Sequence, residues 1–487
     1  MRRGPSIIPR PETMEVRDGH FVIGADTGVS APPDIADLVR ETLAIAGSGN
    51  EIRLSLVNDV HLGTEGYRLR VAEDGVEVQA AALPGLRWAV QTLRQLAESN
   101  RLPYVEVVDR PRHGWRGSLL DVARWCHPLP FLYRYVDLLA FHKLNTLHLH
   151  LTDDQGWRFE VHRYPRLTEV GGFRDGSSVG HASEGRTDHV PHGGFYTQRE
   201  LRDLVAYAAH RGVRIMPEVD APGHMQAAIA AYPRLGNAPN ETLPVRRQWG
   251  ISQHVLNVAD ETVAFVRDVL DELTDVFPFE HVHIGGDEVP SDEWSVNSVA
   301  RQRMSAENLT SPGQLSGWWS ARLAAHLAEH GRRAAVWDEL LEFGIPDGAS
   351  VFAWQGVDRV DLAVRGGHQV VAAPYEYTYL DWAESDSPDE PLAIGGVLPL
   401  SKVYSYQPPE SVLGVQGQLW SEYLPTPKLV EWRAFPRLAA LAEVGWSRGE
   451  RDPADFHRRL GEHLPRLDQL NVAYNPLGKA SPPTRRL

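Results

Sequence analysis

The stretch His281-Val282-His283-Ile284-Gly285-Gly286-Asp287-Glu288 places a short, mostly apolar run directly before two glycines and two adjacent acids. Such a run is typical of a buried parallel strand, and glycines at its end permit backbone conformations that other residues rarely adopt. Similar runs recur along the chain and predict seven further buried strands: Arg116–Val122, Thr146–Leu151, Val213–Val219, Ala334–Trp337, Ser350–Trp354, Gln369–Ala373 and Val415–Leu419.

Amphipathic helical patterns separate most of these runs. The clearest are Leu132–His142, Gln198–His210, Glu261–Val276 and Gln314–His330. Eight strand–helix units over roughly 340 residues predict an α/β fold, a closed (β/α)8 TIM barrel. An open doubly wound sheet is the alternative, but no Gly-rich phosphate loop follows any of the runs.

The chain before the barrel predicts a smaller α+β domain. Its short alternating runs are His20–Ile23, Glu51–Leu56, Tyr67–Val71 and Gly75–Ala80, and a helical pattern covers Leu86–Glu98. The pattern changes at Pro111. We therefore expect an N-terminal α+β accessory domain over residues 1–110, the catalytic barrel over 111–450 and a C-terminal tail over 451–487, packed on the barrel.

Composition restricts the partners and the compartment of this chain of 487 residues. Its 49 Lys and Arg residues against 64 Asp and Glu residues give a formal net charge of −15. An acidic surface repels phosphate backbones and anionic lipid, so we expect neither nucleic acid nor a membrane as a partner. Cys126 is the single cysteine, and no apolar segment follows the basic start, so a cytoplasmic location is expected.

Catalytic side chains of such a barrel project from the carboxyl ends of its strands. The residues found there are Arg124, Asp153, Asp154, Glu218, Asp220, His224, Asp287, Glu288, Trp337, Asp338, Glu339, Trp354, Tyr375, Tyr379, Asp381, Trp420 and Glu422. Carboxylates supply acid–base chemistry or stabilise a cation, and flat indole rings can stack on sugar C–H faces. The combination predicts a sugar-cleaving pocket with an oxocarbenium-like transition state.

These residues leave several interpretations open. Two like charges at Asp287 and Glu288 tend to raise one pKa, as a general acid requires, but acids after a glycine turn also cap helices. His148 and His150 alternate on one strand. They could bind a metal ion as a pair, but we favour the interpretation that they are core or supporting histidines. Three functions fit these residues: a retaining glycosidase with Glu218 and Glu288 as its two carboxylates, a metal-dependent hydrolase with His148 and His150 as ligands, and a non-catalytic carbohydrate-binding barrel.

Several ordered motifs resemble the β-N-acetylhexosaminidases of glycoside hydrolase family 20. They are Arg116–Arg124, Lys143–Trp157, Gly194–Thr197, Pro217–His224 and Ile284–Glu288, and Ile8-Pro9-Arg10-Pro11 resembles the opening of the family's N-terminal module. The resemblance covers about residues 5 to 450. It implies an exo-acting, retaining enzyme that removes terminal non-reducing β-linked GlcNAc or GalNAc from an oligosaccharide or glycoconjugate, without a metal or organic cofactor.

The resemblance also implies individual roles. Glu288 would be the general acid and base, and Asp287 would orient the 2-acetamido group, whose carbonyl oxygen is the nucleophile that forms an oxazolinium-type intermediate. Tyr379 would hydrogen-bond that carbonyl, and Asp153 and His224 would tune Glu288. The sugar-binding residues would be Arg124, Asp154, Trp337, Trp354, Asp381, Trp420 and Glu422.

One departure and one loop bear on specificity. Trp125 and Cys126 follow Arg124 where the family more often has other residues, which puts the substrate preference, not the mechanism, in question. The segment Gln155–Tyr196 reads as an unusually long loop after a strand end, and loops of that length are commonly functional or mobile.

Overall fold

The computed structural model describes residues 4–477, and its centre is a closed barrel of eight parallel strands. Each strand pairs with the next one in sequence, and the eighth pairs with the first. The strands are Trp115–Asp121, Thr146–His150, Arg214–Glu218, His281–His283, Arg333–Trp337, Ser350–Ala353, Gln369–Ala372 and Gly414–Gly417. The predicted TIM barrel is confirmed, and the buried apolar runs are its strands.

Helices cover the outside of the barrel and bury their apolar faces against it. The longer ones are Leu129–Phe141, Gln198–His210, Asp260–Val276, Ser298–Ala306, Gln314–Glu329, Val357–Arg365, Pro427–Ala434, Arg437–Trp446 and Pro453–Gln469. Shorter helices are Arg166–Glu169, Gln226–Ala231, Asp292–Val296, Tyr375–Thr378 and Leu400–Ser405. Within residues 4–477, none of the helices has the length and apolar character needed to cross a membrane.

A six-stranded sheet precedes the barrel and confirms the predicted small α+β domain. Its strands in spatial order are Thr13–Val22, Arg101–Asp109, Tyr67–Ala72, Gly75–Ala80, Ile52–Leu56 and Val29–Ser30. The helices Pro33–Leu43 and Leu83–Leu96 pack on this sheet. The predicted domain boundaries at residues 110 and 450 stay predictions.

The elements of this domain that were not predicted include one helix and one long strand, each with a proline. The helix Pro33–Leu43 begins with a proline, which suits the first helical turn but reads as a helix breaker in a sequence. The strand Arg101–Asp109 contains Pro103, which cannot donate to a ladder and argues against a central strand. Pro103 pairs with His20, next to the irregular register between Val16 and His20, so the missing donor falls where the ladder is already disturbed.

Buried ion pairs attach the flanking parts to the barrel. Asp109, at the end of the N-terminal sheet, accepts hydrogen bonds from Lys143 Nζ at 2.7 Å and from Trp446 Nε1 at 2.9 Å. Arg459, on the helix Pro453–Gln469, donates to both oxygens of the buried Glu443. Residues 451–477 therefore pack as a helix with its following turn, and residues 478–487 of the predicted tail lie outside the described part of the chain.

The segment predicted as a long loop, Gln155–Tyr196, is locally structured. It contains the helix Arg166–Glu169 and the paired residues Phe173–Arg174 and His192–Gly193. Fully buried Arg158 donates to the carbonyl oxygens of Ala123, Gly172 and Gly194, and so ties three turns of the chain together. These contacts describe a packed insertion at the barrel rim.

Candidate active site

A cavity of about 580 Å³ opens at the carboxyl ends of the barrel strands. Its volume is that of an ordinary small-molecule pocket. Eleven of the twelve predicted site residues line it: Arg124, Asp153, His224, Asp287, Glu288, Trp337, Trp354, Tyr379, Asp381, Trp420 and Glu422. These side chains come from most of the strand ends around the rim, so closure of the barrel brings together residues that are up to 298 positions apart (422 − 124) in the sequence.

The two adjacent acids are aimed into the cavity by a strained turn. Gly285 has φ +69° and Gly286 has φ +100°, and a Cβ on Gly285 would stand 1.6 Å from Asp220 Oδ1. Glu288 itself has φ 46°, a left-handed conformation that is uncommon for a residue with a side chain. The next helix begins only at Asp292, after Ser291, so these acids do not cap it. Backbone strain of this kind is concentrated at functional sites.

Glu288 has the protonation behaviour of a general acid. Burial raises the pKa of its carboxyl from 4.5 to about 7; the charge of His224 opposes this rise and that of Asp287 adds to it. About a third of the side chain, 35%, stays exposed, so substrate can reach it. A carboxyl with such a pKa is half protonated near neutral pH and can donate a proton there.

A row of alternating charges leads from the barrel wall to Glu288. Arg124 Nη2 contacts Asp153 Oδ2 at 2.9 Å, Asp153 Oδ1 lies 3.2 Å from His224 Nδ1, and His224 Nε2 lies 3.6 Å from Glu288 Oε2. Burial works to raise the pKa of Asp153, but Arg124 and His224 hold it well below its usual range. The charges of Asp153 and Asp287 outweigh burial and raise the pKa of His224 well above its usual value. His224 is therefore a cation beside Glu288.

Asp287 presents an unused acceptor to the cavity. Among the described residues, no N–H or hydroxyl group reaches its buried oxygen Oδ1, Oδ2 lies 3.7 Å from His224 Nε2, and the carboxyl group shares a hydrogen bond with that of Asp220. Two other acids face it, Asp220 and Glu339, and burial together with the charge of Asp287 raises the pKa of both well above the usual range. A buried carboxylate oxygen without a partner is costly, so this atom is a binding point for a ligand N–H or O–H group.

Aromatic rings and two further acids form the remaining walls. Trp354 stacks on Tyr379 with ring centroids 5.7 Å apart, and Trp337 lies 5.9 Å from Trp420. Burial, and then the neighbouring charge of Glu422, raise the pKa of Asp381 well above its usual range. Burial also raises the pKa of Glu422, against the charge of Arg124. Apolar faces with a few polar groups between them match the alternating C–H and O–H surface of a sugar.

Glu218 does not face the cavity. It is fully buried, and its two oxygens contact His283 Nδ1 at 2.8 Å, Trp337 Nε1 at 2.9 Å, His148 Nε2 at 3.1 Å and the ring of His150. Burial alone would raise its pKa, but these imidazoles, His150 first, hold it well below the usual range. Glu218 is therefore a locked anion of the barrel interior, which argues against its predicted alternative role as one of two catalytic carboxylates.

The histidine pair considered as a metal site belongs to the same cluster. The ligand atoms of His148, Glu218 and His283 lie within 4.8 Å of one another, close enough to share an ion. His150 also contacts Asp153 Oδ2 at 2.9 Å. Burial works to lower its pKa, but the charge of Glu218 and the hydrogen bonds to Asp153 and Glu218 raise it to about 10. The protonated ring joins the two carboxylates, so these histidines have a supporting role in the observed arrangement.

Asp154, predicted to bind the sugar, and Trp125, predicted to bear on substrate preference, both lie outside the cavity lining. Asp154 lies behind the wall, where its oxygens accept hydrogen bonds from the backbone N–H groups of Gln226 and Ser252. Trp125, part of the departure from the family pattern, donates to the carbonyl oxygen of Glu422 and is not in the cavity lining. Both residues therefore support loops of the rim.

Other lining residues were not among the predicted catalytic and sugar-binding residues. Asp220, His150 and Tyr375 stand at or near strand ends, so their positions carried a signal. Trp382 directly follows Asp381, and this neighbourhood is a weaker indication of a place in the cavity lining than a strand-end position is. Gly250, Ile251, Ile394, Gly395 and Gly396 come from irregular segments that no periodic pattern identifies.

A TIM barrel with both protonated and ionised acids beside aromatic walls at its carboxyl rim is typical of glycoside hydrolases. Residues 113–449 match glycosyl hydrolase family 20, catalytic domain, and residues 4–110 match glycosyl hydrolase family 20, domain 2. The chain belongs to glycosyl hydrolase family 20. The predicted resemblance is confirmed, and so is the enzyme class, a glycoside hydrolase of the β-N-acetylhexosaminidase family.

Individual relatives resemble most of the chain. A β-hexosaminidase of Porphyromonas gingivalis is 36% identical over 97% of the chain, which spans 64% of that protein. A β-N-acetylhexosaminidase of Cellulomonas fimi is 33% identical over 98% of the chain and 97% of its own length. The solved structure of an exo β-N-acetylglucosaminidase from Vibrio harveyi, in complex with N-acetylglucosamine, has a TM-score of 0.88 at 32% identity and covers 98% of this chain and 79% of its own.

Proposed function

We propose that this glycoside hydrolase is an exo-acting, retaining β-N-acetylhexosaminidase that removes terminal non-reducing GlcNAc or GalNAc by substrate-assisted catalysis. One observation carries the proposal: beside Glu288, with its pKa of about 7, the buried oxygen Oδ1 of Asp287 has no N–H or hydroxyl partner among the described residues. A 2-acetamido N–H group is a donor of the required kind. Relatives named for N-acetylhexosamine substrates support the same assignment.

In the first step, Glu288 protonates the glycosidic oxygen. The carboxyl holds its proton up to neutral pH because it is largely buried, and the neighbouring His224 cation stabilises the carboxylate that remains after proton transfer. The resulting carboxylate then takes a proton from the water that completes hydrolysis. A single residue thus serves both proton transfers, as retention of configuration requires.

The nucleophile in this proposal is the acetamide oxygen of the substrate. Asp287 accepts the acetamide N–H, fixes the group under the anomeric carbon and stabilises the positive charge that spreads over the oxazolinium ring. Holding the nucleophile within the substrate makes its attack intramolecular. Glu218 is locked among imidazoles, which supports this route over direct attack by a second enzyme carboxylate.

The walls of the cavity recognise one terminal sugar. Trp337, Trp354 and Trp420 pack on its ring and acetamide methyl, and Tyr379 donates to the acetamide carbonyl. Arg124, Asp381 and Glu422 bind the sugar hydroxyls. A cavity closed by these groups on one side accepts a chain end, which favours exo action.

The test is hydrolysis of three chromogenic β-glycosides that differ only at C2: GlcNAc, its N-trifluoroacetyl form and glucose. We expect strong cleavage of the first, slower cleavage of the second because fluorine withdraws electrons from the nucleophilic oxygen, and almost none of the third. Proton NMR of the first product formed should show the β-anomer.

Comparable rates on glucose and GlcNAc would contradict the proposal and indicate an enzyme nucleophile. Loss of activity with EDTA would instead favour the metal-dependent hydrolase considered from His148 and His150. Absence of turnover on all three, with retained GlcNAc binding, would indicate a carbohydrate-binding barrel. Asp287→Asn is the matched variant, because it keeps the shape of the side chain and removes the charge.

A further inference from the structure

Two outer helices of the barrel bring a set of metal-ligating groups together, away from the cavity. Asp271 lies on the helix Asp260–Val276, His326 lies in the last turn of the helix Gln314–Glu329, and His330 directly follows that helix. One ligand atom from each of the three lies within 4.8 Å of the other two. We propose that these residues form a divalent transition-metal site, with Zn²⁺ as its ligand.

The three groups lie close enough to share an ion after small rotations, although His326 and Asp271 are directly hydrogen-bonded in the structure. His326 Nε2 lies 2.7 Å and His330 Nε2 lies 3.6 Å from the same oxygen, Asp271 Oδ1. Ligands at 2.0–2.1 Å from a tetrahedral zinc ion stand about 3.3 Å apart. The side chains of Asp271 and His330 are 48% and 46% exposed, so small rotations are free to equalise the distances.

The ring of His330 is held with one nitrogen directed at Asp271. Its Nδ1 lies 2.9 Å from the carbonyl oxygen of His326, which can only accept, so Nδ1 donates this hydrogen bond. The other ring nitrogen, Nε2, faces the Asp271 carboxylate. A ring N–H donated to a backbone carbonyl is also the arrangement that orients metal-bound histidines.

The donor set selects the type of ion. Two imidazoles and one carboxylate suit zinc and its neighbours among transition metals, whereas calcium and magnesium prefer oxygen alone. Among the described residues, the ion pairs of Asp271 are with these two histidines. Three protein ligands leave a fourth position for water on the exposed side.

Binding would clamp two neighbouring helices of the barrel's outer layer. An ion held by both helices binds the folded state and not the separated chain, so it raises the thermal midpoint. None of the three residues lines the candidate active-site cavity. The inference therefore does not depend on the proposed function.

The experiment uses the full chain after treatment with chelator and its removal. Zn²⁺ is titrated calorimetrically into the parent protein and into His326→Ala, His330→Ala and Asp271→Asn, and thermal midpoints are recorded with and without Zn²⁺. The control is His457→Ala, an exposed histidine on another helix. Co²⁺ absorption gives a further readout, because its intensity distinguishes tetrahedral from octahedral sites.

We expect one-to-one Zn²⁺ binding and a higher midpoint for the parent and for His457→Ala. Each ligand variant should bind about tenfold more weakly or worse and lose the midpoint shift. Equal binding by the parent and all three ligand variants would place the ion elsewhere and overturn the proposal. Absence of one-to-one binding by the parent would overturn it as well, and would leave the cluster as histidine–aspartate ion pairs only.

Discussion

Replacing Glu288 with glutamine should remove activity and stabilise the fold at the same time. The folded-state pKa of about 7 against an ordinary value of 4.5 means that ionised Glu288 is disfavoured in the native protein. The difference of about 2.5 pKa units corresponds to about 3.4 kcal/mol at 1.36 kcal/mol per unit. Because 35% of the side chain is exposed, water screens part of this effect, and we expect about 1–2 kcal/mol.

The sign of the effect follows from proton binding. Between pH 4.5 and about 7 the native carboxyl holds a proton that the unfolded chain has released, so parent stability falls as pH rises through this interval. Glutamine never ionises. The variant should therefore match the parent near pH 4.5 and exceed it by the full amount at pH 8, in urea denaturation at both pH values. Glu329→Gln, at an exposed helical position, should show no such difference.

The activity assay distinguishes proton donation from a purely structural role. For a GlcNAc glycoside with a poor leaving group, we expect kcat/KM of Glu288→Gln to fall about 10²–10⁴-fold. An aryl glycoside whose leaving group needs no protonation should lose much less at the bond-breaking step. Equal losses on both substrates, or a variant less stable than the parent at pH 8, would refute the reasoning.

Four further outcomes are expected. The parent's kcat/KM should fall as pH rises through about 7, because Glu288 loses its proton; a profile flat to pH 9 would contradict this. Asp287→Asn should reduce kcat/KM for GlcNAc glycosides about 100-fold or more by removing the charge that stabilises the intermediate, with circular dichroism unchanged. Gly285→Ala should destabilise the fold by about 3 kcal/mol or more in a denaturation assay, because the added Cβ meets a neighbouring carboxylate; Gly348→Ala, at φ +73° with open space, should lose far less, and equal losses would rule out the clash. Glu218→Gln should lower the free energy of unfolding by about 3–5 kcal/mol, since buried imidazoles lose their counter-ion, and an unchanged midpoint would contradict the locked-anion interpretation.

The barrel could be predicted because its strands are short continuous apolar runs and its helices are amphipathic. Most residues that line the cavity could be predicted because they stand at the carboxyl ends of those apolar runs, where the active sites of TIM barrels lie. What the sequence does not display is which side of the barrel wall a strand-end residue faces: Glu218 is the last residue of its strand and lies inside the barrel, whereas Asp287 follows the next strand and lies in the cavity. Only the pairing register decides which side a strand-end residue faces. Rim loops such as Gly395–Gly396 carry no periodicity, so their place in the lining was not predictable.

The polar centre around Glu218 has a consequence for how the barrel closes. The anion lies on the third strand, and its partners are His150 on the second strand, His283 on the fourth and Trp337 on the fifth. A one-residue slip of any of these strands turns its side chain outward and leaves a charge or a donor unmatched in the interior. In a purely apolar interior, the same slip leaves no buried charge or donor without a partner. The cluster therefore favours one register of these four adjacent strands and makes barrels that close in another register less stable.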